Sequence, residues 1–195
     1  MSKKDSETER RIKETARDLY FKEGKFGATT QEIADAAGVN RTLINYYFRS
    51  RDNLFDIIFK EAIEREEFLS EKLLYSDLPF KKKIEKYIEQ SFQQSREFPY
   101  LESYIVSRLN EGFFYKKTEN WKRFIERFEN EFQEEIRKGN IIEMDSLQFI
   151  LNLSSLISFP FAARPLFQSS FRVSDEEYEQ IMDQRKQIIM KVLFK

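Results

Sequence analysis

The sequence predicts an all-α fold of about nine helices. Three observations carry this. Helix breakers are scarce, with 5 Gly and 4 Pro in 195 residues, while Glu, Lys, Leu, Ile and Phe abound. Apolar residues recur every three to four positions along most of the chain. No period-two alternation runs long enough for a strand.

Ser6-Glu7-Thr8-Glu9 has the form of a capping box, and Ile12, Ala16, Leu19 and Tyr20 follow at helical spacing up to Gly24. Thr29-Thr30-Gln31-Glu32 forms a second box ahead of Ile33, Ala34 and Ala37. Gly38 interrupts, Asn40 caps a third short helix ending near Tyr47, and Ser50 caps a longer fourth one carrying Leu54, Phe55, Ile58, Phe59, Ala62 and Ile63. Asp77 and Pro79 open a segment with Ile84, Tyr87, Ile88 and Phe92. Pro99 opens another, with Leu101, Tyr104, Ile105 and Leu109, which stops near Gly112. Trp121, Phe124, Ile125, Phe128, Phe132 and Ile136 make the cleanest stripe, ended by Gly139. Asp145 caps an uncharged helix, and Ser174 with Glu177 caps the last, whose one face carries Tyr178, Ile181, Arg185, Ile188 and Val192.

Composition excludes several chemistries. With no Cys there is no disulfide, thiolate metal site or Cys nucleophile. With no His the usual general base, the Ser-His-Asp arrangement and the Glu-x-x-His di-iron pattern are all missing. The expectation is a protein that is not an enzyme, with no catalytic residues, metal site or cofactor. Ser146–Ala163 carries no charge over 18 residues, close to the ~20 that span a bilayer. Its Gln148, Asn152, Ser154, Ser155 and Ser158 argue for a helix buried by protein, not for membrane contact. The N-terminus is charged and lacks a signal peptide's apolar core, so a soluble, cytoplasmic protein is expected.

The informative window is TTQEIADAAGVNRTLINYYFRSR, Thr29 to Arg51: two short helices around a glycine turn, a helix-turn-helix. Ile33, Ala34 and Ala37 give the first helix a small apolar face, and Val39, Ile44 and Phe48 point inward from the second. That leaves Arg41, Thr42, Asn45 and Tyr46 or Tyr47 outside, where recognition helices meet base edges. Charge agrees locally. The whole chain has 33 Lys+Arg against 34 Asp+Glu, yet residues 1–60 carry 12 against 10 and residues 61–195 carry 21 against 24. Gly38 to Arg51 holds three Arg and no acid, a positive field where a duplex would lie.

RIKETARDLYFKEGKFGATTQEIADAAGVNRTLINYYFRSRDNLFDII resembles the N-terminal domain of the TetR, tetracycline repressor-like, transcriptional regulators over roughly Arg11 to Ile63. The resemblance rests on the F-K-E-G-K-F-G-A-T-T opening, I-A-x-x-A-G-V and the Y-F-R-S-R close. It implies an N-terminal helix-turn-helix DNA-binding domain at 1–50 and a C-terminal helical ligand-binding and dimerisation domain at 51–195, with the fourth helix at the junction. The implied function is a sequence-specific, homodimeric transcription regulator on a palindromic operator, a repressor released by a small hydrophobic or aromatic effector. The alternative is a helical small-molecule binding or interaction protein that does not use its helix-turn-helix on DNA.

Residue by residue, the resemblance gives Thr30 a phosphate contact, joined by Gln31, which can also reach a base. Arg41 and Thr42 fall on the groove-facing start of the recognition helix, with Arg41 the candidate for a guanine edge. Tyr46 lies on the same outer side. Tyr47 and Arg51 fall where the family grips phosphates. Asn45 departs from the family's frequent Tyr-Tyr-His-Phe pattern, and it can pair with adenine or stay hydrated.

Residues 61–195 hold 15 of the 20 Phe and Trp121. For each single aromatic, core packing is the first reading. A ligand cavity implied by the family would draw on Tyr104, Arg108, Phe113, Trp121, Phe128 and Asn152. Arg108 and Arg164 adjoin apolar stretches, where a salt-bridge or snorkelling role comes before anion binding. The uncharged helix and the last helix correspond by order to the family's dimerisation pair, with Leu147, Leu151, Ser154, Ile157, Ser158, Ile181 and Ile188 at the interface.

Overall fold

The computed structural model describes residues 3–112 and 119–195. Among them all regular structure is helical: α1 Lys3–Arg17, a π-helical turn Asp18–Lys22, α2 Thr30–Ala37, α3 Arg41–Phe48, α4 Arg51–Leu74, α5 Phe80–Glu97, α6 Leu101–Asn110, α7 Glu119–Arg137, α8 Ser146–Ala162, α9 Arg164–Phe171 and α10 Asp175–Leu193. The extra element relative to the sequence expectation is α9, which restarts at Pro165 in its first turn. Most predicted caps are in place: Thr29 with Glu32, Asn40, Asp145, and Ser174 with Glu177. Ser50 also accepts the Asn53 N–H, at 3.1 Å. Ser6 is a correction. The helix already starts at Lys3, so Ser6 lies inside it and caps nothing.

The chain forms two compact units, Met1–Phe68 with Glu97–Phe113, and Leu69–Arg96 with Phe114–Lys195. The first unit therefore contains α6 as well as the helix-turn-helix. Its construction begins at the π turn. Three consecutive large side chains, Leu19, Tyr20 and Phe21, are buried there, which no regular α-helical face allows. One wide turn, closed by Glu23 N–H on the Asp18 carbonyl, shifts the helical phase so that all three face inward. It also leaves the Phe21 carbonyl for the Tyr100 N–H, at 3.0 Å, which ties in the start of α6.

Tyr104 of α6 then stands among Phe21, Phe26, Phe55 and Phe59, with ring centroids between 5.2 and 5.8 Å. Phe55 stacks on Tyr20 from the other side. Tyr20 is wholly buried and its hydroxyl has no partner among the described residues, so burial pushes its ionisation far up.

The second unit packs phenylalanines from three helices and the chain end: Phe80, Phe128, Phe132, Phe149 and Phe194. Beside them lies a buried cation. Lys83 Nζ donates to the Leu74 carbonyl at 2.6 Å and to both Glu131 carboxylate oxygens at 2.8 Å, joining the end of α4 to α5 and α7. Arg127 holds the same carboxylate at 3.1 Å. No single described helix is long and apolar enough to cross a membrane. α8 and α9 meet that criterion only as a pair bent by 65°.

Replacing Tyr104 by Ala should destabilise the protein by about 3–5 kcal/mol, since four aromatic neighbours lose their common partner. Urea denaturation followed by circular dichroism measures it. A cost below about 1 kcal/mol would mean that α6 contributes little to the first unit.

Candidate nucleic-acid interface

The helix-turn-helix consists of two eight-residue helices, each too short to persist alone in water. Three local devices hold them. Thr29 Oγ accepts the Glu32 N–H at 3.2 Å, and the Glu32 carboxylate returns to the Thr29 N–H at 2.7 Å and its hydroxyl at 2.8 Å. These bonds hold the Glu32 carboxyl below its ordinary range. Gly38 takes the left-handed conformation, φ 61°, and passes its N–H to the Ala34 and Asp35 carbonyls. Asn40 accepts the Thr42 N–H at 2.9 Å. The apolar back face is then sealed, since Ile33, Ala34, Ile44 and Phe48 are essentially inaccessible.

The junction to α4 has an unusual geometry. Arg49 sits at φ 63°, ψ −41°, and the Ser50 N–H bonds the Phe48 carbonyl at 2.7 Å. This is a three-residue γ-turn of the rare, strained kind, centred on a residue with a β-carbon. The Asn53 side chain braces it by donating to the same Phe48 carbonyl at 2.9 Å. The turn leaves Arg49 exposed beside α3.

The outer face holds what the sequence places there. Arg41, Thr42, Asn45 and Tyr46 are exposed, and Tyr46 is 75% accessible despite its aromatic ring. Arg41 has no hydrogen-bond or ion-pair partner among the described residues. The Thr42 hydroxyl donates to Asn40 Oδ1 at 2.7 Å. Thr30 is half-buried at the start of α2. Gln31 is exposed, its amide donating to Asp35 at 2.7 Å.

Two residues are more engaged than their pattern suggests. Tyr47 is half-buried, its hydroxyl 3.4 Å from Asp5 of α1, and burial reinforced by that carboxylate raises its ionisation. Arg51 donates to Asp52 at 3.1 Å and to the Ala28 carbonyl at 3.4 Å, and lies over the Phe55 ring. Any phosphate contact by Arg51 competes with these bonds. Sequence reasoning missed Arg49 as a positioned cation and Asp5 as the partner of Tyr47. Neither has a local signature, because one follows from turn geometry and the other from a contact 42 positions away.

The ligand-lining set is not brought together. Tyr104 and Arg108 belong to the first unit, where Tyr104 is core and Arg108 pairs with Asp56 at 2.9 Å and Glu111 at 2.8 Å. In the second unit Phe128 is packed into the phenylalanine cluster, Trp121 stacks on Phe124, and Asn152 is exposed on α8. Phe113 lies outside the described residues. Arg164 holds Asp175 and Glu179 and lies over Tyr178, the salt-bridge role. On the interface set, Leu147, Leu151, Ile181 and Ile188 are 46–60% exposed, Ser154 is exposed and Ser158 half-buried. Ile157 is a correction. It is 3% exposed, since it follows Leu153 by four residues and shares that residue's core-facing side of α8.

With this geometry in place, residues 12–58 match the model of the bacterial regulatory proteins of the tetR family. Among curated proteins, none matches the sequence. Solved structures of the same fold include a Clostridium perfringens protein described as a candidate fatty acid metabolism regulator, at 20% identity, TM-score 0.61 and coverage of 93% of this chain and 97% of that one. A TetR family transcription regulator from Marinobacter aquaeolei is similar at 15% identity, TM-score 0.61, covering 100% and 99%. HlyIIR, a hemolysin II transcriptional regulator, is similar at 19% identity and TM-score 0.55, covering 98% and 99%. At these identities the likeness is one of fold.

Arg49→Gly should raise stability by about 1 kcal/mol, because glycine meets no β-carbon penalty at positive φ. Thermal denaturation gives the sign. A loss of stability would show that the Arg49 side chain contributes more than its backbone costs.

Proposed function

We propose, from the match to the tetR-family model at residues 12–58, that the protein is a dimeric, sequence-specific transcription regulator whose operator binding is relieved by a small hydrophobic or aromatic ligand. The observation that carries the reading is the outer face of α3. An exposed arginine, a threonine, an asparagine and a tyrosine project from a helix whose opposite side is sealed into a core, with no acid between Gly38 and Arg51. Nothing in the fold's stability calls for Tyr46 in water or for Arg41 without a counter-ion. Both suit a groove lined by phosphates and base edges.

On this reading Arg41 at the start of α3 reads a guanine, and Asn45 one turn on reads an adenine. Thr30 and Gln31 at the start of α2, with Arg49, suit backbone phosphates, helped by the unpaired N–H groups of that helix end. Dimerisation through α8 and α10 accounts for their exposed Leu147, Leu151, Phe159, Ile181, Ile188 and Val192. Two-fold pairing presents two recognition helices to successive major grooves, about 34 Å apart, and so selects a palindrome. Such a dimer represses by occluding a promoter. A ligand that favours another separation of the two helices lowers affinity by no more than its preference between the states.

Selection of bound DNA from a random pool tests this directly, with half-site spacing read from the winners; enrichment of no sequence would defeat it. On the selected operator, Arg41→Ala should cost about 1–3 kcal/mol and relax preference at one position. Equal weakening on all sequences would make Arg41 a phosphate contact. Leu151→Glu should give folded monomers in sedimentation, whereas Ile157→Glu should disrupt the fold itself. A folded dimer in the first variant would place the interface elsewhere.

A further inference from the structure

Pro160 lies inside α8 and has no N–H, so the Leu156 carbonyl four residues earlier loses its helical donor. Arg185 of α10 supplies one, Nε to the Leu156 carbonyl at 3.3 Å. The Tyr178 hydroxyl donates to the Pro160 carbonyl at 2.6 Å. These two bonds pin α10 to α8 beside a cavity of about 640 Å³, within the range of small-molecule sites. Phe159 of α8, Phe167 and Phe171 of α9, and Ile181 and Met182 of α10 make its wall apolar. Arg185 is the one charged residue in the lining among the described residues.

That guanidinium is half-buried and forms no ion pair among the described residues. Of the five acids of α10, all but Glu176, which lies nine residues before Arg185, are engaged elsewhere. Asp175 and Glu179 hold Arg164, Glu179 and Asp183 hold Arg96, and Glu177 closes the cap of its own helix. The α8 of a second copy brings no counter-charge, since Ser146–Ala162 contains no acid. An uncompensated guanidinium at the edge of an aromatic cavity selects one ligand chemistry, because its planar fork matches a carboxylate.

We propose that this cavity binds an amphipathic monocarboxylate, its apolar tail among Phe159, Phe167, Phe171 and Ile181 and its carboxylate on Arg185. The site names the chemical class of the effector, and its regulatory consequence rests on the ligand-responsive reading above; the binding itself does not.

Calorimetric titration of the full chain with decanoate, decanol and decyltrimethylammonium tests it. Decanoate should bind saturably, one per chain, at least ten-fold more tightly than either other compound. Arg185→Gln should weaken decanoate at least ten-fold and leave decanol unchanged, while Arg185→Lys retains most of the preference. Because Arg185 also braces α8, Phe171→Glu is the second variant. Phe171 is 70% exposed, so the change is tolerated by the fold, and its carboxylate should occupy Arg185 and exclude decanoate. Equal binding of decanoate and decanol, or decanoate binding untouched in both Arg185→Gln and Phe171→Glu, overturns the proposal. So does a cavity that takes no decanoate while Phe171→Glu dissociates the dimer, since a second copy then fills it. Operator binding measured with and without decanoate separates the two readings: binding of decanoate with no effect on DNA leaves the site standing and removes its role in release.

Discussion

The helix-turn-helix depends on one packing constraint, the burial of Leu19, Tyr20 and Phe21 in succession. An α-helix would turn one of the three to solvent, and the π turn avoids this by absorbing a residue. The same turn leaves the Phe21 carbonyl for Tyr100, and Tyr104 follows into the aromatic cluster with Phe55 and Phe59 of α4. The two short helices α2 and α3 are stable because this scaffold covers their apolar sides. Without it, neither would hold its outer residues in register.

On that scaffold the outer surface proposed to meet DNA is preorganised to different degrees. Arg41 extends freely, whereas Tyr46, though exposed, meets the Tyr47 ring edge-on. Thr42, Gln31, Tyr47 and Arg51 already hold bonds to Asn40, Asp35, Asp5 and Asp52. A phosphate contact by any of these residues would exchange or share that bond, so the surface offers fewer ready contacts than a count of its polar residues suggests. The strained turn at Arg49 works in the opposite direction, since it spends conformational energy to hold a cation outward.

The second unit illustrates how tertiary partners decide what a charge does. Lys83 ends a Lys81-Lys82-Lys83 run, yet it is 4% exposed and satisfied by Leu74 and Glu131. Arg164 sits next to an apolar helix and is neutralised twice, while Arg185 carries a backbone hydrogen bond and no acid. Sequence neighbours do not distinguish these three cations. Their partners come from other helices, up to 48 positions away for Lys83.

The sequence by itself determined the features that depend on local chemistry. Helix periodicity, the Thr29–Glu32 and Ser174–Glu177 capping boxes, the left-handed Gly38 and the outward set Arg41, Thr42, Asn45 and Tyr46 all follow from residues within one or two turns of each other. Ser6 shows the limit of that rule, because a capping pattern cannot say where a helix already running will begin. Tertiary structure alone decided that Tyr104 and Arg108 serve the first unit and that Ile157 is core. It also decided that Pro160, by removing one N–H, orients Arg185 across a gap between helices. These outcomes depend on which surfaces meet, and contacts between residues tens of positions apart leave no periodic trace in the chain that makes them.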